Sequence, residues 1–180
     1  MNTHLNLDWR FTEERKMRAK EKNNYGFTIL ELAVAIAIAA IMAAFALPSI
    51  VNWQNLSRLR GTAVNMVGDL EMAKIRAIRE NSTVTVQFAA ENYIIFVDNG
   101  AGGGTAGDGI RNGGEALVQY RRLPAGVTVD LAGLTLADDR LRFNGKGQPP
   151  DVAALESIPL QNKVGRKNVT LNRLGIVRIQ

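Results

Sequence analysis

The sequence predicts an α+β fold, in which a long N-terminal α-helix packs its second half against a C-terminal antiparallel β-sheet domain. Three observations predict it. Residues 32–47 are sixteen consecutive positions without a polar side chain. Residues 53–77 then repeat apolar side chains every three or four positions, which is the helical period. Beyond residue 82 the apolar period becomes two, which is typical of strands.

The composition argues against most enzyme classes. The 180 residues contain no cysteine, and His4 is the only histidine. Thiolate metal sites, a cysteine nucleophile and a Ser-His-Asp relay are therefore excluded for the chain beyond its N-terminal segment. We predict no catalytic residue, no cofactor and no metal site.

The net charge of +5 is unevenly distributed. From Arg140 to the end, eight basic residues face only Asp151 and Glu156. Such a bias attracts anions, for example phospholipid or nucleic acid. An ordinary solvated surface is the simpler interpretation.

The apolar segment is long enough to span a membrane. Residues 27–47 hold 21 positions with Glu31 as their single charge, and about 20 apolar residues cross a hydrocarbon core. Residues 33–46 lack the polar stripe of a helix buried in a soluble domain. Basic residues cluster just before the segment, which predicts a cytoplasmic N-terminus and a translocated C-terminal domain: Arg15, Lys16, Arg18, Lys20 and Lys22.

Two processing schemes compete at this segment. In the first, a signal peptidase cuts after the small-residue motif Ala44-Phe45-Ala46 and releases a soluble β domain that begins at Leu47. In the second, cleavage falls before the apolar run, between Gly26 and Phe27. The position of Glu31 inside the apolar edge favours the second scheme.

The motif G-F-T-I-L-E at residues 26–31, followed by the apolar run, resembles the prepilin signal of type IV pilins and type II secretion pseudopilins. The resemblance implies that a prepilin peptidase cleaves after Gly26 and that Phe27 becomes N-methylated. It also implies that Glu31 meets the terminal amine of a neighbouring subunit and so sets the stagger of a filament. Pro48 falls where many family members carry a helix-loosening proline, so we expect a kink there.

The domain boundaries follow from these patterns. Residues 1–26 are the predicted leader, 27–51 the transmembrane and filament-core helix, 52–81 an amphipathic helix, and 82–180 a β-rich periplasmic domain. Asn81-Ser82 should end the helix. Its predicted apolar stripe consists of Trp53, Leu56, Leu59, Ala63, Met66, Leu70, Ala73 and Ala77.

We expect six to eight short strands beyond the helix. The predicted strands are Thr83–Phe88, 93–97, 116–123, 127–131, 134–136, Arg140–Phe143, 169–171 and 176–179.

The loop at residues 98–114 contains eight of the 17 glycines, and we interpret it as a flexible connection. Calcium binding is the alternative, because four side chains in and beside the loop offer oxygen ligands, although their spacing does not match an EF-hand: Asp98, Asn99, Asp108 and Glu115.

The C-terminal segment resembles the GspH/FimT branch of the same superfamily, in which a Gly-Arg-x-Arg pattern is common. Here Gly175-Ile176-Val177-Arg178 keeps the glycine and the last arginine, with Ile176 between them. In competence-associated minor pilins that motif is linked to DNA binding. A DNA- or anion-binding patch would use Arg166, Lys167, Arg173 and Arg178 through charge attraction.

The predicted function is therefore that of a minor pilin or pseudopilin, a structural component of a type IV pilus or type II secretion pseudopilus. Its expected partners are the prepilin peptidase, other pilins, the inner membrane and an assembly platform. The expected location is the bacterial inner membrane, with a single pass, and later the filament. A DNA-uptake pilin and the secreted β domain remain the alternatives, and nucleic acid is not the favoured partner.

Overall fold

A 52-residue helix, α1 (Ile29–Glu80), is the longest element of the chain. The computed structural model describes residues 26–180. Alanine and leucine, which are strong helix formers, recur along α1. Pro48 lies inside α1. The chain divides within this helix, between Ala44 and Phe45, into two compact units.

The C-terminal end of α1 is closed by backbone hydrogen bonds around Asn81. Asn81 adopts a left-handed conformation with φ of 45°. The Ser82 N–H donates to the Ala77 carbonyl at 3.2 Å, and the Asn81 N–H donates to the Ile78 carbonyl at 3.3 Å. This pair of bonds is a Schellman cap, which satisfies carbonyls that the last helical turn leaves free. The predicted helix end at residues 81 and 82 is confirmed.

Eight strands follow the helix, and all of their pairings are antiparallel. They are β1 (Thr83–Phe88), β2 (Asn92–Asp98), β3 (Leu117–Arg122), β4 (Thr128–Val129), β5 (Arg140–Phe143), β6 (Leu155–Gln161), β7 (Arg166–Asn172) and β8 (Val177–Ile179). They form two four-stranded sheets, with orders β3-β2-β1-β5 and β4-β6-β7-β8. The predicted α+β class, with a long helix and an antiparallel β domain, is confirmed.

The core of the C-terminal unit joins α1 to the inner faces of both sheets. The helix contributes a stripe at the predicted spacing, which begins at Leu59 and ends at Ala77. β1 and β2 contribute alternate side chains such as Val86 and Ile95, and β7 contributes Val169 and Leu171. Because the period is 3.6 on the helix and two on the strands, each element presents one continuous apolar face.

Two residues of the predicted helical stripe lie outside the core. Trp53 is 70 % exposed and Leu56 is only partly buried, so packing on the helix begins later than the sequence pattern suggested. Asp69 lies outside the predicted stripe, and yet this charged residue is buried.

The strand predictions contain one false strand and one omission. Residues 134–136 are not a strand, because they lie between two single turns of 3-10 helix, Leu131–Gly133 and Ala137–Asp139. The omission is β6, which contains Pro159, a residue type that is rare in central strands. The structure accommodates this proline where the two-residue β4 ends. There the Pro159 carbonyl accepts from the Asp130 N–H at 2.9 Å. Proline has no N–H to donate, but β4 has already ended at Val129, so the ladder between β4 and β6 loses no hydrogen bond.

Candidate functional site

The first turn of α1 carries the residues of the predicted processing motif. Gly26 and Phe27 precede the helix, and the Phe27 side chain is 84 % exposed. Apart from its chain neighbours, no residue of the range 26–180 has an atom within 4 Å of the position that a Cβ would take at Gly26. Both sides of the proposed scissile bond are therefore uncovered by the described part of the chain.

Thr28 is the N-cap of the helix. Its hydroxyl oxygen accepts a hydrogen bond from the Glu31 N–H at 3.1 Å, and its carbonyl accepts from the Leu32 N–H at 3.1 Å. Thr-x-x-Glu is the spacing of a capping box, in which the N-cap oxygen satisfies an otherwise free N–H of the first turn. Thr28 is not among the predicted site residues, although the Thr-x-x-Glu spacing signals an N-cap.

Glu31 lies in the first turn of α1 and is exposed. Its carboxylate makes no ion pair within residues 26–180. The N-terminal end of a helix carries partial positive charge, which stabilises an acid in the first turn. In hydrocarbon that stabilisation is small beside the cost of an ion without a counter-charge. The carboxylate is thus suited to a partner that another molecule supplies.

The apolar half of α1 is uncovered by the rest of the described chain. Every residue from 26 to 54 is exposed, including large apolar side chains that a soluble helix would bury. Among the described residues, α1 is long enough and apolar enough to cross a membrane, judged by length and composition. Pro48 lies in this stretch and removes one helical N–H. The kink expected there stays a prediction.

The four residues of the predicted anion-binding patch do not form a single cluster. Arg166 begins β7 and Arg173 directly follows its last residue, and the strand itself is about 20 Å long at the usual rise. Lys167 alternates with Arg166 and so points to the other face of the sheet. Arg178 is paired with Thr170 in the middle of the strand. Arg166 is also bonded to Asp130, which neutralises its charge.

The glycine-rich loop is held by two buried carboxylates. Asp98 accepts bonds from the Gly107 and Gly109 N–H groups at 2.6 and 2.8 Å, and from the Thr85 hydroxyl at 2.8 Å. Glu115 accepts from the Gly100 N–H at 3.0 Å and from the Asn112 N–H at 2.8 Å. The expectation of a flexible connection overlooked this network. Within residues 26–180 no group of acidic side chains has the arrangement of a metal site.

A buried polar group that the sequence analysis missed ties the helix to the first sheet. Asp69 of α1 accepts bonds from the Tyr93 hydroxyl at 2.7 Å and from two nitrogens of Arg121 at 2.9 Å each. Burial raises the pKa of Tyr93 above its usual range, and the adjacent Asp69 carboxylate raises it further. The bond to Asp69 likewise raises the pKa of Arg121. This network stabilises the domain. The candidate functional site is the first turn of α1.

Two family models match the chain. The family described as "Prokaryotic N-terminal methylation motif" matches residues 22–47. The family described as "Type II transport protein GspH" matches residues 62–175, which is more than half of the chain. No curated protein sequence matches.

Solved structures with a similar fold come from two bacteria. The type IV minor pilin FimU of Pseudomonas aeruginosa strain PAO1 is 13 % identical in two crystal forms. The aligned regions cover 68 % and 71 % of this chain and 92 % of FimU, with TM-scores of 0.51 and 0.53. The minor pseudopilin EpsH of the Vibrio cholerae type 2 secretion system is 15 % identical, with coverages of 68 % and 96 % and a TM-score of 0.50. At these identities the likeness shows the fold, whereas the family match over 62–175 and the methylation motif establish membership. The chain belongs to the GspH family of the type IV pilin and type II secretion pseudopilin superfamily.

Proposed function

We propose that the chain is a minor pilin or pseudopilin that is cleaved after Gly26, methylated on Phe27, and assembled through α1 into a pilus or pseudopilus. It works as a structural subunit in protein secretion or pilus biogenesis and breaks no bond itself. The observation that supports the proposal best is a coincidence of position. The G-F-x-x-x-E motif lies where a helix begins whose first half is uncovered by the described chain.

The exposed apolar half of α1 supports two successive environments for the same surface. Residues 29–51 amount to about 34 Å of helix at 1.5 Å per residue, which exceeds the roughly 30 Å of a hydrocarbon core. Before assembly these side chains contact lipid in the inner membrane. After assembly they contact the helices of neighbouring subunits, and the filament keeps them away from water.

Cleavage before Phe27 would supply the partner that Glu31 lacks. The new terminal amine lies four residues from Glu31 and carries a positive charge. Within one chain the Phe27 amine and the Glu31 carboxylate both lie at the start of α1. The pairing that sets the stagger of the filament is therefore the one between two subunits. An ion pair in lipid is strongly favoured over two separate ions because each isolated charge is costly there. Glu31 of one subunit would thus select the axial position of the next.

The test is mass spectrometry of the mature N-terminus, after expression with and without a prepilin peptidase. We expect a chain that begins with N-methylated Phe27, and an uncleaved chain when the peptidase is absent. A mature chain that begins at Leu47 would instead identify a signal-peptidase product and a secreted β domain. That result would overturn the proposal.

Gly26→Leu and Gly61→Leu form a matched pair of variants. Neither glycine has an atom within 4 Å of the position of a Cβ, so neither substitution is excluded by sterics. We expect Gly26→Leu to accumulate as the uncleaved precursor and Gly61→Leu to be processed normally. Equal processing of the two variants would contradict cleavage at Gly26.

A further inference from the structure

Trp53 occupies a narrow interval between the apolar half of α1 and the first residues that the domain covers. Its side chain is 70 % exposed, two positions after Val51 ends the apolar segment. Asn55 and Leu56 are the first helical residues that the domain partly buries. Tryptophan concentrates at the boundary between hydrocarbon and headgroups, because its ring is apolar and its N–H is polar. This interval is therefore suited to the edge of a membrane.

The hairpin between β6 and β7 is bonded to α1 close to Trp53. The Asn162 side-chain amide donates to the Asn55 carbonyl at 2.7 Å. The Asn162 side-chain oxygen accepts from the Val164 and Gly165 N–H groups at 2.9 and 3.0 Å, which holds the turn itself. One asparagine thus shapes the turn and attaches it to α1 at Asn55, two residues after Trp53.

The surface around this attachment is basic. Arg58, Arg60 and Lys163 are exposed, and none of them makes an ion pair within residues 26–180. Residues 47–60 and 161–167 contain no acidic residue. At the tip of the turn Val164 is 39 % exposed beside Lys163. An apolar side chain beside a cation matches an anionic surface with an apolar layer beneath it.

The distances allow these side chains to contact lipid headgroups. Arg58 lies about 10 Å along the helix from Val51 at 1.5 Å per residue. The headgroup layer is roughly 5 to 8 Å thick on each side of a bilayer. Helical side chains tilt toward the N-terminus of their helix, so Arg58 leans toward the membrane, and a long cationic side chain can snorkel to the phosphates.

We infer that the β6–β7 turn and the adjacent helical arginines form a docking surface for anionic phospholipid, with Trp53 at the membrane boundary. The inference rests on the proposed function, because it takes α1 as the membrane anchor. Docking holds the domain against the inner membrane until the subunit is extracted into a filament. A phospholipid bilayer accounts for both the basic and the apolar side chains of this surface, because its phosphates attract the cations and its acyl chains accept the apolar groups. The surface of duplex nucleic acid, unlike a bilayer, offers no apolar layer for the exposed Val164 and Trp53 side chains.

The experiment uses the full chain reconstituted into vesicles, with an environment-sensitive fluorophore on Val164→Cys. The natural sequence has no cysteine, so the label is unique. We expect higher and blue-shifted emission in vesicles that contain phosphatidylglycerol than in pure phosphatidylcholine. About 1 M salt should abolish the difference, since the Debye length falls to about 3 Å. Arg58→Gln and Lys163→Gln should each lower the docked-to-undocked ratio about fivefold.

Leu174→Cys is the matched control. Leu174 is exposed in the turn between β7 and β8, at the other end of β7 from the docking surface. Its label should report water in both kinds of vesicle. The depth of Trp53 is read separately in a Trp9→Phe background, in which it is the only tryptophan. Brominated lipids should quench it most when the bromine lies near the headgroups.

Failure of this inference is distinguishable from failure of the proposed function. Flotation of the chain with vesicles reports anchoring by α1, and mass spectrometry reports processing, whatever the Val164 label shows. If the chain floats but both labels respond equally to lipid charge, or neither responds, the docking surface is ruled out. A response of the Val164 label to duplex DNA but not to anionic vesicles would overturn it in favour of a nucleic-acid site.

Discussion

Arg121 and Asp69 form a two-point ion pair across 52 residues of sequence. The Arg121 Nε donates to Asp69 Oδ2 and its Nη2 donates to Oδ1, both at 2.9 Å. The pair joins β3, an edge strand of its sheet, to α1, while β2 contributes the Tyr93 hydroxyl to the same carboxylate. A single acid on the helix therefore holds two strands in place.

Removing Arg121 should destabilise the domain. Arg121→Ala leaves Asp69 buried with one remaining donor, at a cost of about 2 kcal/mol, which is typical of hydrogen bonds to charged groups. The cost stays below that of a fully buried pair because the Arg121 side chain is 39 % exposed. Thermal unfolding followed by circular dichroism measures it. Arg122→Ala, at an exposed neighbour, is the control, and equal losses in the two variants would contradict the assignment.

The raised pKa of Tyr93 predicts a loss of stability at alkaline pH. The unfolded chain releases the tyrosine proton near pH 10, whereas the folded chain retains it to higher pH. The stabilisation is thus fully present below about pH 10 and is lost as the pH rises beyond that value. Melting curves from pH 8 to pH 12 should show this fall. Tyr93→Phe should flatten it, and Tyr120→Phe, which removes an exposed tyrosine hydroxyl, is the control variant.

Asp98 should order the glycine-rich loop without calcium. Asp98→Ala removes three acceptor contacts, so the Gly107 and Gly109 amides should exchange with solvent much faster. Asp108→Ala is the control, because Asp108 accepts only from the Ile110 N–H in the same loop. Hydrogen exchange measured by mass spectrometry compares the variants. Protection of the loop by added calcium would contradict this account and favour the metal site.

Gly175 should be required for folding rather than for ligand binding. It adopts a φ of 72°, and a Cβ there would lie 2.6 Å from the Gly147 carbonyl oxygen. Gly175→Ala should cost at least 1–2 kcal/mol, the usual penalty for an L-residue in this conformation. Gly165→Ala, with no neighbour within 4 Å and no positive φ, should be close to neutral. Chemical denaturation compares them, and similar stabilities would disprove the steric argument.

Glu31 should be needed for assembly but not for cleavage. Glu31→Gln keeps the shape of the side chain and removes the charge that a terminal amine would pair with. We expect normal processing by mass spectrometry and a strong loss from sheared filaments. Glu71→Gln is the control on the same helix, since Glu71 is 3.6 Å from Lys74 and has its partner within the chain. Incorporation of Glu31→Gln at the normal level would exclude the contact.

The sequence by itself determined the helix, its apolar half and most of the strands, because these depend on local periodicity. It also determined the motif at Gly26, Phe27 and Glu31, because these residues are neighbours in the sequence. The tertiary structure alone decided the role of Asp69, since a charge on a helix reads as solvated until its partners on β2 and β3 are known. It likewise decided that Arg166 and Arg173 are far apart, and that Asn162 brings a basic turn to the helix beside Trp53. Those relationships join residues distant in the chain, and no local pattern records which side chains folding brings into contact.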